Sequence, residues 1–392
     1  RGKRLYQEIG CVACHGDRLQ DAPPGESAAR PDPQQVPLVA HGSLEANYDH
    51  DALTKFLRDP LRLRPGGRMP DFQLSLLDAA DIAHYLLGRR TVRSSEPFRP
   101  APQRVAAGKA LFSSFGCANC HSLSGVKATL SAPSLAALAD APDKQRSGCW
   151  GETPRGRPRF ALSGAQQAAL QAAIDAPANA RPEASQRLDE SLARANCYAC
   201  HTRDGRGGVG AAQWDYFRTV GNVDIGDEGR IPPPLSGVGG KLTAAWMAKV
   251  LAGKAAIRPH MAARMPVFGK VLVDGLPEEF QAVDLPHGDA PPRWPPVDAA
   301  AMQAAGRELM NNGCIQCHAV AGRRMTGVVG VEISQIDQRL RPSWFVDFLM
   351  NPAAKRPQTR MPTMFPNGKS LVDDVLDGNA ARQTHALWLY LN

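Results

Sequence analysis

Apolar residues recur at three- and four-residue spacing in short segments, separated by polar stretches rich in Pro and Gly. That spacing is the signature of one buried helix face. It predicts opening helices over Gly2–Ile9, Arg104–Phe115, Ser185–Ala195 and Asp298–Asn311, the second presenting Val105, Leu111 and Phe112 together. A second group follows at Asp51–Leu57, Thr243–Leu251 and Pro342–Met350. Closing helices are predicted at Asp78–Leu87, Gly164–Ile174 and Ala380–Leu391, with a shorter candidate at Pro277–Val283. The pattern therefore runs through nearly the same plan four times. Between the copies lie a Ser/Pro-rich stretch (Arg93–Gln103), an Ala/Pro-rich stretch (Ala176–Ala184) and Pro286–Pro296, which carries five prolines. These divide the chain into four expected domains, 1–97, 98–184, 185–297 and 298–392.

Each opening helix leads into the same five-residue format: Cys11-Val-Ala-Cys14-His15, Cys117-Ala-Asn-Cys120-His121, Cys197-Tyr-Ala-Cys200-His201 and Cys314-Ile-Gln-Cys317-His318. Two cysteines three positions apart can each form a thioether to a haem vinyl group, and the next histidine then sits under the iron. The rival is zinc, with two Cys-x-x-Cys pairs sharing one metal. It leaves unexplained the histidine after every second cysteine. Four covalent haem c groups are therefore expected, with His15, His121, His201 and His318 as proximal ligands.

A later phrase repeats as well. Arg64-Pro65-Gly-Gly-Arg68-Met69-Pro70 matches Arg258-Pro259, four residues, then Arg264-Met265-Pro266, and also Arg356-Pro357-Gln-Thr-Arg360-Met361-Pro362. Met69, Met265 and Met361 are the candidate sixth ligands; flanking prolines stiffen each loop. Met261 and Met364 are the neighbouring alternatives. The 98–184 stretch departs from this plan. Its Pro158-Arg159-Phe160-Ala-Leu-Ser parallels Pro70-Asp71-Phe72-Gln-Leu-Ser, which puts Arg157 where Met69 stands, and no Met occurs between Met69 and Met247. The ninth cysteine, Cys149, lies in this stretch, 149 − 121 = 28 residues after His121. It is the candidate axial thiolate there. The other readings are a free or modified thiol, or a ligand borrowed from His41, His50, His84, His260, His287 or His385.

These features resemble class I cytochrome c: the motif after an N-terminal helix, a late Met-Pro loop and a closing helix. Pro37-Leu38, Pro234-Leu235 and the looser Pro133-x-Leu135 are similar to that family's loop supporting the proximal histidine. The last stretch has no such pair, so its loop is expected to differ. The resemblance implies a mainly α fold of four tandem class I cytochrome c-like domains with long ordered loops, one covalent haem each. Histidine/cysteine ligation is similar to that of thiosulfate dehydrogenases and sulfur-oxidising cytochromes.

Composition refines the picture. Aromatic residues are only 6% of the chain, so units averaging 392/4 = 98 residues build modest cores, which a buried haem would complete. The net charge of +8 is scattered, with no basic block interleaved with aromatics. Nucleic acid is not an expected partner. No apolar run is long enough to span a membrane, and haem c attachment implies a periplasmic or extracytoplasmic location with a signal segment absent from this sequence. No dinucleotide fingerprint, phosphate loop or nucleophile triad is present. The leading expectation is an electron relay between a redox donor and an acceptor, either free or as the cytochrome subunit of a membrane-bound or dehydrogenase complex. The alternatives are an enzyme oxidising a small sulfur anion at the second haem and a subunit of a haem conduit or filament.

Overall fold

The structure, a computed structural model, describes residues 1–17, 38–42, 44–88, 99–119, 121–128, 162–176, 182–220, 226–256, 258–285, 287, 289–294, 296–323 and 330–392. These residues are mostly helical. The one sheet among them is the short hairpin of Thr202–Arg203 and Arg206–Gly207. The chain divides into two compact units, Arg1–Val92 with Glu183–Asn392, and Arg93–Pro182.

Helices form where the apolar periodicity asks for them, and local chemistry sets their ends. Opening helices span Gly2–Ile9, Ala184–Arg194 and Ala299–Asn311. Closing helices span Leu76–Leu87, Leu276–Asp284 and Ala380–Leu391. Ser75 accepts from Asp78 N, Asn379 from Arg382 N, and Asp298 from Ala300 and Ala301 N. Each cap satisfies an amide that has no partner within its helix.

The larger unit holds three main hydrophobic cores, one in each stretch that carries a haem motif. Tyr6, Ile9, Val12, Leu53, Leu57, Ile82 and Leu86 form the first. Leu188, Leu192, Tyr198, Met247, Leu276 and Phe280 form the second. Met302, Leu309, Met310, Phe345, Trp388 and Leu391 are among those forming the third. Each fully buried aliphatic or aromatic side chain contributes about 1.5–3 kcal/mol, so each core holds its opening helix on its closing one. Backbones approach closely at the first and third crossings. A Cβ on Gly2 would lie 1.9 Å from the Asp81 carbonyl oxygen, and one on Gly306 would lie 2.2 Å from that of Ala386. Only glycine fits there.

Within this unit the repeats also touch one another. Asp71 and Val267 pair as an antiparallel bridge, and so do Leu242 and Leu340. Arg341 Nη1 meets Asp289 at 2.9 Å, and Thr243 N donates to the Arg339 carbonyl.

The smaller unit contains helices Pro102–Ser114 and Gly164–Asp175, the latter with a capping box between Ser163 and Gln166. No residue of either helix is buried. Val105 and Leu111, expected on a core-facing side, are 41% and 54% exposed. Periodicity placed the helix correctly, but among the described residues no surface covers these two side chains.

Candidate haem sites

All four motifs begin with the same backbone device. The residue before the first cysteine has positive φ: Gly10 at 113°, Gly116 at 77°, Asn196 at 56° and Gly313 at 152°. Left-handed geometry is inexpensive for glycine and tolerated by asparagine. It breaks the opening helix and starts a new turn in which the histidine amide bonds back to the first cysteine. His121 N donates to the Cys117 carbonyl, His201 N to that of Cys197 and His318 N to that of Cys314, at 2.8, 2.9 and 2.9 Å. In the first motif the turn is a complete short helix, Cys11–His15. In the first, third and fourth motifs the tight turn holds two thiols and an imidazole in one small patch.

The histidines are oriented by backbone oxygens. His15 Nδ1 lies 2.8 Å from the Val39 oxygen, His201 Nδ1 2.7 Å from that of Pro233, and His318 Nδ1 2.9 Å from that of Val331. An Nδ1–H donated to a carbonyl fixes the tautomer and leaves Nε2 free to ligate a metal. Burial first, against the raising effect of the same carbonyls, pushes His15 and His201 below their ordinary value. They are thus neutral, the form that binds a metal.

The Pro-Leu expectation is refined here. In the third repeat Pro233, just before Pro234-Leu235, supplies the acceptor, and Leu235 N donates to the Thr202 carbonyl. The fourth repeat keeps this double contact without any Pro-Leu pair: Val331 accepts from His318 while Ile333 N donates to the Ala319 carbonyl. That loop does differ, as expected: the acceptor lies 13 positions after His318 against 32 after His201, while the backbone contact itself is kept. Arg203, two residues after His201, buttresses the third loop by donating to the Leu235 oxygen at 2.8 Å and to Asp284 Oδ1 at 2.6 Å.

Five of the cysteines are held as thiols. Burial foremost pushes Cys11 and Cys197 up to about 12, and raises Cys14, Cys200 and Cys314 as well. A zinc site shared by two Cys-x-x-Cys pairs needs four ligands together, and among the described residues no group of three or more His, Cys, Asp or Glu is placed to hold a metal ion. Thioether formation to a porphyrin fits this donor set better.

The methionines are less alike than their sequence contexts. Met69 and Met361 are half-buried against the first and third cores, as is Met364. Met265 is 44% exposed. Cys120 and Cys149, with Arg157, lie outside the described residues, so the second motif is seen through Cys117 and the exposed His121.

Cations gather where the third and fourth repeats meet. Lys241 is pushed down to about 7, first by burial, then by Arg356, Arg258 and Arg339; Glu228 opposes the shift. Lys241 Nζ also lies 4.4 Å from the Trp344 ring centre. Arg258 and Arg356 occupy equivalent positions in their Arg-Pro phrases, and burial lowers both. So concentrated a set of cations calls for anionic groups, and the carboxylates of haem propionates have that charge. The residues present thus suit haem. When bound, haem supplies one-electron chemistry at iron.

Residues 1–89 match the family model for Cytochrome c. That match supports a c-type cytochrome. It is consistent with the helical fold, with covalently bound haem c and with electron transfer. No curated protein and no solved structure matches the chain. Sequence reading missed the left-handed pivots and the backbone acceptors. The pivots had a signal, since Gly, Gly, Asn and Gly precede the four motifs. The acceptors had none, because every residue carries a carbonyl.

Proposed function

We propose that the chain is an extracytoplasmic tetrahaem c-type cytochrome that relays electrons between a redox donor and an acceptor. One observation carries the reading. The pivot–Cys-x-x-Cys-His–carbonyl arrangement supported by the family match in the first repeat recurs around His201 and His318, beyond the matched residues. The pivot and the helical turn recur at Cys117–His121 as well. Met69, Met265 and Met361 are proposed as the sixth ligands of their repeats. No helix among the described residues is long and apolar enough to cross a membrane.

In this reading the chain's own groups have plain tasks. The carbonyls of Val39, Pro233 and Val331 hold their imidazoles with Nε2 directed at the metal. The apolar cores exclude water, which tunes the potential. Lys241, Arg258 and Arg356 offset propionate charge. A mass measurement of the mature protein with a pyridine haemochrome assay tests the count. Four covalent haems are expected, and three after Cys314→Ser with Cys317→Ser. Fewer than four in the unmodified protein, or stoichiometric zinc, overturns the reading.

The sequence of the second repeat motivates a second reading: it lacks a methionine and carries Cys149. Thiolate ligation there would stabilise the ferric state and could serve oxidation of a small sulfur anion. A thiolate-type low-spin EPR signal, lost in Cys149→Ala together with thiosulfate-oxidising activity, would support it. Identical spectra in both proteins leave the relay alone.

A further inference from the structure

The first and third repeats meet through corresponding parts. Asp71 stands two residues after Met69, and Val267 two residues after Met265. These two residues form an antiparallel bridge, with Asp71 N donating to the Val267 oxygen and Val267 N to the Asp71 oxygen, both at 2.8 Å. The residues preceding the methionines behave in parallel. Arg264 N donates to the Ile9 oxygen at 3.0 Å, two residues before Cys11. Arg68 Nη2 donates to the Ala193 oxygen at 3.0 Å and its Nε to that of Arg194 at 3.2 Å, four and three residues before Cys197. Each methionine loop thus rests on the opening helix of the other repeat, close to its attachment motif. Contacts that pair a position with itself and exchange the rest are the mark of an approximate two-fold interface.

The attachment motifs themselves lie at this interface. Asn196 Nδ2, on the pivot of the third motif, is 3.5 Å from Cys14 Sγ. Ala13 packs in one small core with Val209 and Phe217, and Cys200 and Ala263 border it. Burial is the main cause that raises the Cys200 thiol, followed by Cys14, Cys197 and Cys11. All four cysteines thus share one neighbourhood. A buried carboxylate ties the two repeats together: Asp17 accepts from Tyr216 Oη of the third repeat at 2.8 Å and from Gln7 and Tyr85 of the first.

We propose that the first and third repeats form a built two-haem unit in which the groups carried by Cys11/Cys14 and Cys197/Cys200 exchange electrons directly, without passing through the second repeat. The order of electron exchange then differs from the order of motifs along the chain. This inference rests on the four-haem reading. Electron exchange weakens steeply with separation, and here the cysteine sulfurs that would carry the two haems lie in one neighbourhood. Two charged centres so placed in a partly buried interface also influence each other's oxidation.

The test is low-temperature EPR of the oxidised holoprotein through a reductive titration, after the haem count has been measured. Coupled neighbours give a spectrum that is not the sum of its parts. Reduction of one partner should narrow the low-spin signal of the other. Removing the third haem (Cys197→Ser with Cys200→Ser) should subtract one signal and sharpen that of the first haem. Removing the second (Cys117→Ser with Cys120→Ser) should only subtract. The titration needs no variant, so the proposal stays testable even where the third-haem variant does not fold. Four haems whose signals remain independent and additive throughout would overturn the pairing and leave the relay standing. A count below four overturns the relay itself.

Discussion

Asp284→Leu should be among the most damaging single changes outside the motifs. Arg203 Nη2 meets Asp284 Oδ1 at 2.6 Å with side chains only 8% and 6% exposed, and Gly239 N donates to the other carboxylate oxygen at 2.7 Å. Removing the carboxylate leaves a guanidinium nearly out of water whose remaining counter-charge is the exposed Asp204, 3.5 Å from Nε, which costs about 3–5 kcal/mol. At 1.36 kcal/mol per power of ten, that is roughly two to four powers of ten in the opening equilibrium of the third repeat. The solvent-exposed pair Lys270–Asp274, at 3.9 Å and 86% and 66% exposed, provides an internal control; Lys270→Met should stay within the ~0–1 kcal/mol range of surface pairs. Several cores make a single global transition a poor measure. Hydrogen exchange followed by mass spectrometry reads the opening locally. In Asp284→Leu, peptides covering 231–235 and 276–284 should lose about a hundredfold protection or more, while those covering 76–87 should not change. Because Arg203 also holds the Leu235 oxygen, two residues after the carbonyl that orients His201, the spectrum of the haem proposed for that repeat should shift too. Adding Arg203→Leu should restore much of the protection, since an apolar pair can replace a buried ion pair at little cost. A loss below about tenfold in the single variant, or a double variant that is worse still, would refute the reasoning.

Further outcomes follow from other sites. Burial alone would raise the Glu332 carboxyl, but donation from Ser334 N and Oγ, Gly322 N and Ala321 N outweighs it and holds the group below its ordinary 4.5. Its stabilisation is therefore complete above that pH and is lost as pH falls through the depressed folded value. Glu332→Gln should cost about 1–2 kcal/mol at neutral pH, and hydrogen-exchange protection of peptides covering 319–322 and 332–336 in the two proteins should converge in acid; a gap independent of pH would show that the charge is irrelevant. Gly10→Ala meets no atom within 4 Å of its new Cβ, so its cost is purely conformational, about 1–3 kcal/mol at φ 113°. Haem loading of the first motif, measured by peptide mass, should fall, and full loading with unchanged stability would contradict the pivot role. Lys241→Met should lower the potential of a haem in the third or fourth repeat, because a neighbouring cation favours the ferrous state; unchanged potentials by spectroelectrochemistry would separate the cation cluster from the propionates.

Much of this was readable along the chain. Helix Gly2–Ile9, helix Pro342–Met350 and helix Ala380–Leu391 stand where periodicity predicts them, because each buries one continuous face. The Cys-x-x-Cys-His format is equally local, since its chemistry needs only neighbours in sequence. Val105 and Leu111 show the limit. Their spacing defines a stripe, but spacing carries no information on whether another surface arrives to cover it.

The repeated helical plan and the Cys-x-x-Cys-His format are legible in the sequence, because helix periodicity and motif spacing are properties of a few consecutive residues. Tertiary structure alone decided that carbonyls of Val39, Pro233 and Val331 aim the histidines, that Arg203 closes on Asp284 across 81 positions, and that the first and third repeats lie together. Those outcomes depend on which surfaces meet after distant segments collapse. A backbone oxygen is the same in every residue, so only its position in space makes it part of a site.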